Sequence, residues 1–236
     1  MTSVPAERQH VDSAIVAARS RDNIIVGGEI IRHRRATRLI HWSVALTFFI
    51  ALFSGMPIWT PLFGWMAAFV GGLEVARVIH PYAGVAFVIA SVFQFVHWLG
   101  DMTFGPSERG WWRPSTMVGY MRWENEPAWE GGKYNGGQKF FFWAVCLGAL
   151  GFLISGIPMW FPLYFPQIVR SLSIIIHDLT FIGFLVGVVF HIYLGTIAEP
   201  GTFRSMTRGT VTRSWARFHH PSWFRQVSGE NRDDRK

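Results

Sequence analysis

Residues 174–197 read IIIHDLTFIGFLVGVVFHIYLGTI. The stretch carries one acidic residue, Asp178, and no basic one. It exceeds the roughly 20 apolar residues that a helix needs to cross a hydrocarbon core about 30 Å thick. Its two histidines, His177 and His191, are spaced so that a helix separates them by about 21 Å along its axis. They also fall within about 40° of the same direction around it. One membrane helix thus presents two imidazoles on nearly one face, one toward each side of a bilayer. Ionisable groups at such depths are costly and point to function.

Three further stretches have spanning length: 39–59 (LIHWSVALTFFIALFSGMPIW), 78–99 (VIHPYAGVAFVIASVFQFVHWL) and 140–160 (FFFWAVCLGALGFLISGIPMW). The apolar piece Pro61–Val70 is too short to span and is expected at the interface. Half of the 236 residues are hydrophobic and only 16% are charged, below the roughly 25% of a soluble domain. The expected fold is an all-α membrane protein, a four-helix bundle with short interfacial helices. Of 22 Lys and Arg residues, 20 lie before the first span, between the second and third, or after the fourth. Only Arg77 and Arg170 lie in the other two connections. This asymmetry sets both termini and the 100–139 loop in the cytoplasm. It also explains the net charge of +7 without a nucleic-acid footprint. The single cysteine, Cys146, excludes a disulfide framework, a cysteine-ligated iron–sulfur cluster within the chain and covalent haem attachment.

With that orientation, His80 begins an inward-running span and shares the outer level of His177, whereas His41 shares the inner level of His191. Two imidazole pairs across a helix bundle are what two b-type haems require, each histidine giving one neutral nitrogen to an axial position. Zinc fits less well, because a structural zinc gathers four ligands at one point. Asp178 projects about 100° from His177. His97 competes with His41 by depth, but it faces about 100° away from His80 and is assigned to a surface or cofactor edge. Gly183, Gly187, His191 and Gly195 form a ridge at spacing four, and Gly84 stands four residues after His80. Missing side chains there admit a flat macrocycle; ordinary helix packing in lipid uses the same pattern. Arg38 and Arg77, each three residues before a histidine, are candidates to pair with haem propionates. Arg38 also reads as a simple inside-positive flank.

The expected divisions are an N-terminal cytoplasmic extension at 1–30, a dihaem membrane domain at 31–200 and a cytoplasmic amphipathic tail at 201–236. The tail contains RSWARFHHPSWFRQ (213–226), and its last residues, GENRDDRK (229–236), are expected to fray. A weak internal echo links SGMPIWTPLF (54–63) with SGIPMWFPLYF (155–165).

The chain resembles the gamma, or cytochrome b, subunit of membrane-bound respiratory formate dehydrogenase over roughly residues 31–226. The resemblance rests on RLIHW around His41, VIHPYAG around His80, GGKYNGGQKFFFW at 131–143, FPQIVRSLSIIIHDLT around His177, VVFHIYLG around His191 and GTVTRSWARFHHPSWF at 209–224. It implies a bacterial inner-membrane subunit with two non-covalent b haems ligated by His41, His80, His177 and His191. It implies partner subunits on the outer face: an iron–sulfur subunit and a molybdopterin subunit, carrying molybdenum or tungsten, that oxidises formate. It further implies quinone reduction near the inner haem, with Asn135, Gly137 and Gln138 of the KYNGGQK loop as candidates. Formate oxidation itself is expected of the partner, since this chain has no catalytic residues of its own for it. A higher oligomer of the whole complex is compatible with this reading. The cytochrome b subunits of nickel–iron hydrogenase or thiosulfate reductase share the histidine geometry. A haem-free membrane anchor is the alternative of a different class, and it predicts a colourless protein.

Overall fold

The structure is a computed structural model that describes residues 6–105, 110–111, 113–115, 118 and 132–230, with side chains from residue 12 onward. The side chain of Arg8, together with Arg109, Arg122, Gly131, Arg232, Arg235 and Lys236, all used in the reading above, lies outside the described residues.

Four long helices carry the four apolar stretches: α2 (Arg35–Trp59), α3 (Leu73–Trp98), α4 (Gly136–Trp160) and α5 (Gln167–Tyr193). Each starts several residues before its apolar stretch. A helix can continue into the polar boundary wherever its first N–H groups find partners. All four are long and apolar enough to cross a membrane. Their outer faces bear Leu46, Phe93, Leu147 and Leu179, all more than 60% exposed. In lipid these side chains face the solvent they match. A short helix, Pro61–Val70, follows α2. Thr60 caps it by accepting from the Leu62 N–H, Pro61 opens it, and Gly71 in the left-handed region (φ 93°) ends it.

The chain forms two compact units. The first, residues 39–98 and 143–190, contains the apolar lengths of the four long helices. Its centre is an aromatic layer with one phenylalanine from each helix. Phe184 lies 4.9 Å from Phe48, 5.6 Å from Phe87 and 5.8 Å from Phe152 between ring centres. Gly148 makes room for it, since a Cβ there would stand 2.7 Å from Phe184.

The second unit gathers residues 1–38, 99–142 and 191–236, the three segments that hold the 20 basic residues. Here helix α1 (Ala6–Ala17) precedes a hairpin of β1 (Ile24–Val26) and β2 (Glu29–Ile31). Gly27 and Gly28, both at positive φ, form its two-residue turn, as the strand twist requires. After α5 come α6 (Thr202–Thr207), β3 (Thr210–Thr212), α7 (Arg213–His219) and α8 (Pro221–Ser228). β3 pairs antiparallel with β2, Ile30 opposite Val211. Ile30, Val211, Trp215, Ala216, Trp223 and Phe224 form one buried core. Arg204 binds Glu29 across this sheet.

The contacts thus join segments from both ends of the chain and from its middle in one unit. Residues 29–31 are a strand partner of the tail, and the tail packs its tryptophans into a core of its own unit. The apolar face of the tail packs on Ile30 and Val211. The physical reason is the hairpin edge: its free N–H and C=O groups are satisfied by β3.

Candidate functional site

His80 lies near the start of α3 and His177 ten residues into α5, and their ring centres are 6.1 Å apart. Both line a cavity of about 650 Å³ within the four-helix unit. Gly55, Gly84 and Gly156 open its walls, and Phe48, Phe87 and Phe152 also line it. Arg77 and Asp178 reach it as well.

The two imidazoles are held by their Nδ1 atoms. His80 Nδ1–H donates to the Ala51 carbonyl at 3.0 Å. His177 Nδ1 is 2.9 Å from Ser155 Oγ, whose own proton goes to the Gly151 carbonyl at 2.6 Å. The histidine is therefore the donor to Ser155. Both rings keep Nε2 as the free, neutral nitrogen, the form that binds a metal. Each ring would give that nitrogen to a metal group held in the cavity the two share. Among the described residues no three of His, Cys, Asp and Glu gather into a metal cluster. The pair is a two-ligand arrangement, which suits a macrocyclic metal group better than a bare ion.

The remaining predicted residues are distributed as follows. His41 lies on α2 in the four-helix unit, and Gly187 lies on α5 in that same unit. His191 belongs to the other unit, where Phe141 stacks on its ring at 4.6 Å and 12°. Arg77 pairs with Glu74 at 2.8 Å, and Arg38 donates to the Thr207 carbonyl at 2.7 Å.

Asn135 and Gln138 form a reciprocal cap at the start of α4. Gln138 N–H donates to Asn135 Oδ1 at 2.8 Å, and Asn135 N–H donates to Gln138 Oε1 at 3.0 Å. The glycines between them serve Trp111: a Cβ on Gly136 would stand 2.9 Å from its indole and one on Gly137 2.8 Å. Sequence reasoning offered Gly137 to a quinone and missed Trp111, which no spacing pointed to. It also missed the support behind the loop. Arg32, only 1% exposed, donates to the Lys133 carbonyl at 2.6 Å, and His220 Nδ1–H donates to the Gly132 carbonyl at 2.7 Å. The Arg32 guanidinium lies over Trp215, Trp223 and Tyr134. Its burial lowers its pKa to about 10, and burial with the nearby Arg32 charge holds His220 well below the ordinary histidine value. A second, polar cavity of about 340 Å³ borders the loop, lined by Asp101, Thr103, Lys133, Tyr134 and Lys139 among others.

The sequence profile described as prokaryotic cytochrome b561 matches residues 32–209. The chain belongs to that family. A b-type haem is the cofactor this cytochrome family implies, and the His80–His177 cavity has the donors and the space for one. Among curated relatives, the cytochrome b556 subunit of a formate dehydrogenase from Haemophilus influenzae is 31% identical over 201 residues, covering 84% of this chain and 83% of the relative. The cytochrome b556(Fdn) subunit of a nitrate-inducible formate dehydrogenase from Escherichia coli is 29% identical over 201 residues, covering 84% and 91%. The cytochrome b556(fdo) subunit from the same organism is also 29% identical, covering 84% and 93%. The cytochrome is thus a multi-pass membrane protein of the formate dehydrogenase cytochrome b type.

Proposed function

We propose that this cytochrome is the dihaem membrane subunit of a formate dehydrogenase, connecting an iron–sulfur partner on the outer face to quinone near the cytoplasmic side. The observation that carries the reading is the His80–His177 pair meeting across a glycine-walled cavity with both Nε2 atoms free. His80 and His177 would hold one haem, and His41 and His191 the second. Bound haems supply single-electron transfer, and the partner subunits supply formate oxidation at molybdenum or tungsten.

The chain's own residues position these groups. Arg77 and Arg38 offer cations to the propionates. Gly84 and Gly187 leave their helix faces low beside the macrocycles. The KYNGGQK loop binds quinone through Asn135, Gly137 and Gln138, and the polar cavity bordered by Asp101 and Lys139 opens that loop to the water from which quinone takes its protons. The basic segments on that side support a cytoplasmic location for both termini in the inner membrane.

The test is a pyridine haemochrome assay with reduced-minus-oxidised spectra on the purified complex. Two haems per chain are expected, and His177→Ala should leave one, with formate unable to reduce quinone. One haem or none in the unmutated chain overturns the dihaem reading. Two haems retained in His177→Ala overturn the ligand assignment.

A further inference from the structure

The echo between residues 54–57 (SGMP) and 155–158 (SGIP) acquires a physical meaning in the four-helix unit. Ser54 and Ser155 are both fully buried, and each hydroxyl donates to the carbonyl four residues earlier, Ile50 or Gly151, at 2.6 Å. The glycine after each serine faces a histidine of another span. A Cβ on Gly55 would stand 2.6 Å from His80 Cε1, and one on Gly156 would stand 3.9 Å from His177 Cε1. In the first copy the ring, let in by Gly55, donates to the Ala51 carbonyl. In the second it donates to the Ser155 hydroxyl itself.

We propose that the two copies are orienting seats for the two axial histidines, with Ser155 the positioning residue for His177 and Gly55, beside the Ala51 carbonyl, the seat for His80. The inference rests on the reading that these two histidines hold a haem. A partner on Nδ1–H fixes the tautomer and ring plane and makes the opposite nitrogen a better electron donor to a metal. Ser155 can do this because its proton is already committed to Gly151, which turns a lone pair toward the ring. Ser54 has the same backbone bond and the same burial but no imidazole on its oxygen. It is therefore an internal control for the merely structural part of the motif.

The experiment compares Ser155→Ala, Ser155→Thr and Ser54→Ala in the assembled complex, by optical redox titration and low-spin electron paramagnetic resonance. A weaker nitrogen donor stabilises ferric iron less. Ser155→Ala should therefore raise the midpoint potential of one haem by about a tenfold change in its oxidised-to-reduced ratio, 59 mV for a one-electron couple. The resonance of that haem should move and the other haem should stay. Ser155→Thr keeps the hydroxyl and should retain both values, and Ser54→Ala should leave them in place. Loss of the haem in Ser155→Ala with retention in Ser155→Thr also supports the role. An unchanged potential and spectrum in Ser155→Ala, loss in both Ser155 variants, or an equal shift in Ser54→Ala overturns it. Gly55→Ala should lower the haem content at the same site, and full content would overturn the seat for His80. Retention of both haems in His177→Ala would instead strike at the site reading itself.

Discussion

Asn135 Oδ1 and Gln138 Oε1 each accept a backbone N–H at the start of α4, so only their amide NH2 groups remain for a quinone carbonyl. Asn135→Asp and Gln138→Glu keep the accepting oxygen and remove that donor, and a negative charge at a helix N-terminus is favourable. Thermal stability should hold within about 0.5 kcal/mol, while kcat/KM for quinone falls about tenfold, the worth of one hydrogen bond at about 1.4 kcal/mol. Haem reduction by formate should be unaffected in both. Full quinone turnover with unchanged inhibitor sensitivity in Asn135→Asp would remove it from the site. Gln138→Leu should lose the cap as well, at about 1 kcal/mol in a thermal melt. The meeting of His80 with His177 was legible from sequence because ionisable groups within apolar spans are rare and their depths follow from helix rise. The cap was also written there, as Asn followed three residues later by Gln, but the reading gave those side chains to a ligand. Trp111 was not legible, since its contact with Gly136 and Gly137 crosses a loop with no periodicity.

The four long helices meet at the layer of Phe48, Phe87, Phe152 and Phe184. Phe184 stands seven residues after His177 and seven before His191, about 10.5 Å from each along the helix axis. The layer is therefore midway between the two histidine levels of α5. Lipid tails are as apolar as these rings, so packing rather than exclusion from water holds them together. Gly148 allows the closest approach, and Gly148→Val would drive its side chain into Phe184. Overpacking of this kind costs about 1–3 kcal/mol. The variant should melt earlier in detergent, and a second substitution, Phe184→Leu, should restore part of the loss. A Gly148→Val protein with wild-type stability would mean that the ring has free room. Element existence was readable from apolar length alone. The meeting of four phenylalanines was not, because every span contains several and only the rotation of each helix selects one.

The segments carrying 20 of the 22 basic residues belong to one compact unit, held by the β1–β2–β3 sheet and by Arg32 and His220 under the 132–135 loop. Reporter fusions should give a cytoplasmic signal after Lys236 and the opposite signal in the 161–166 connection, and a C-terminal fusion active only outside would reverse the topology. The unit also carries a pH dependence. His220 is buried with its folded pKa well below 6.5, so the unfolded chain binds the extra proton first as the pH falls. Its stability is fully present above about pH 6.5 and is lost below it, by up to about 1.4 kcal/mol per pH unit, until the depressed folded value is reached. Thermal melts of the complex between pH 7.5 and 5.5 (about that range) should show this decline, reduced in His220→Gln. The sequence by itself determined the number of spans, the uneven placing of the basic segments between them and the position of each histidine along its helix. Those quantities depend on hydrocarbon thickness, the cost of moving charge and the pitch of a helix, all readable along one dimension. Only the tertiary structure decided that residues 29–31 pair with 210–212, that Trp111 covers Gly136 and Gly137, and that Ser155 hydrogen-bonds His177. Three-residue strands carry too short a pattern to declare a partner, and a hydroxyl or an indole finds its neighbour only when distant segments meet.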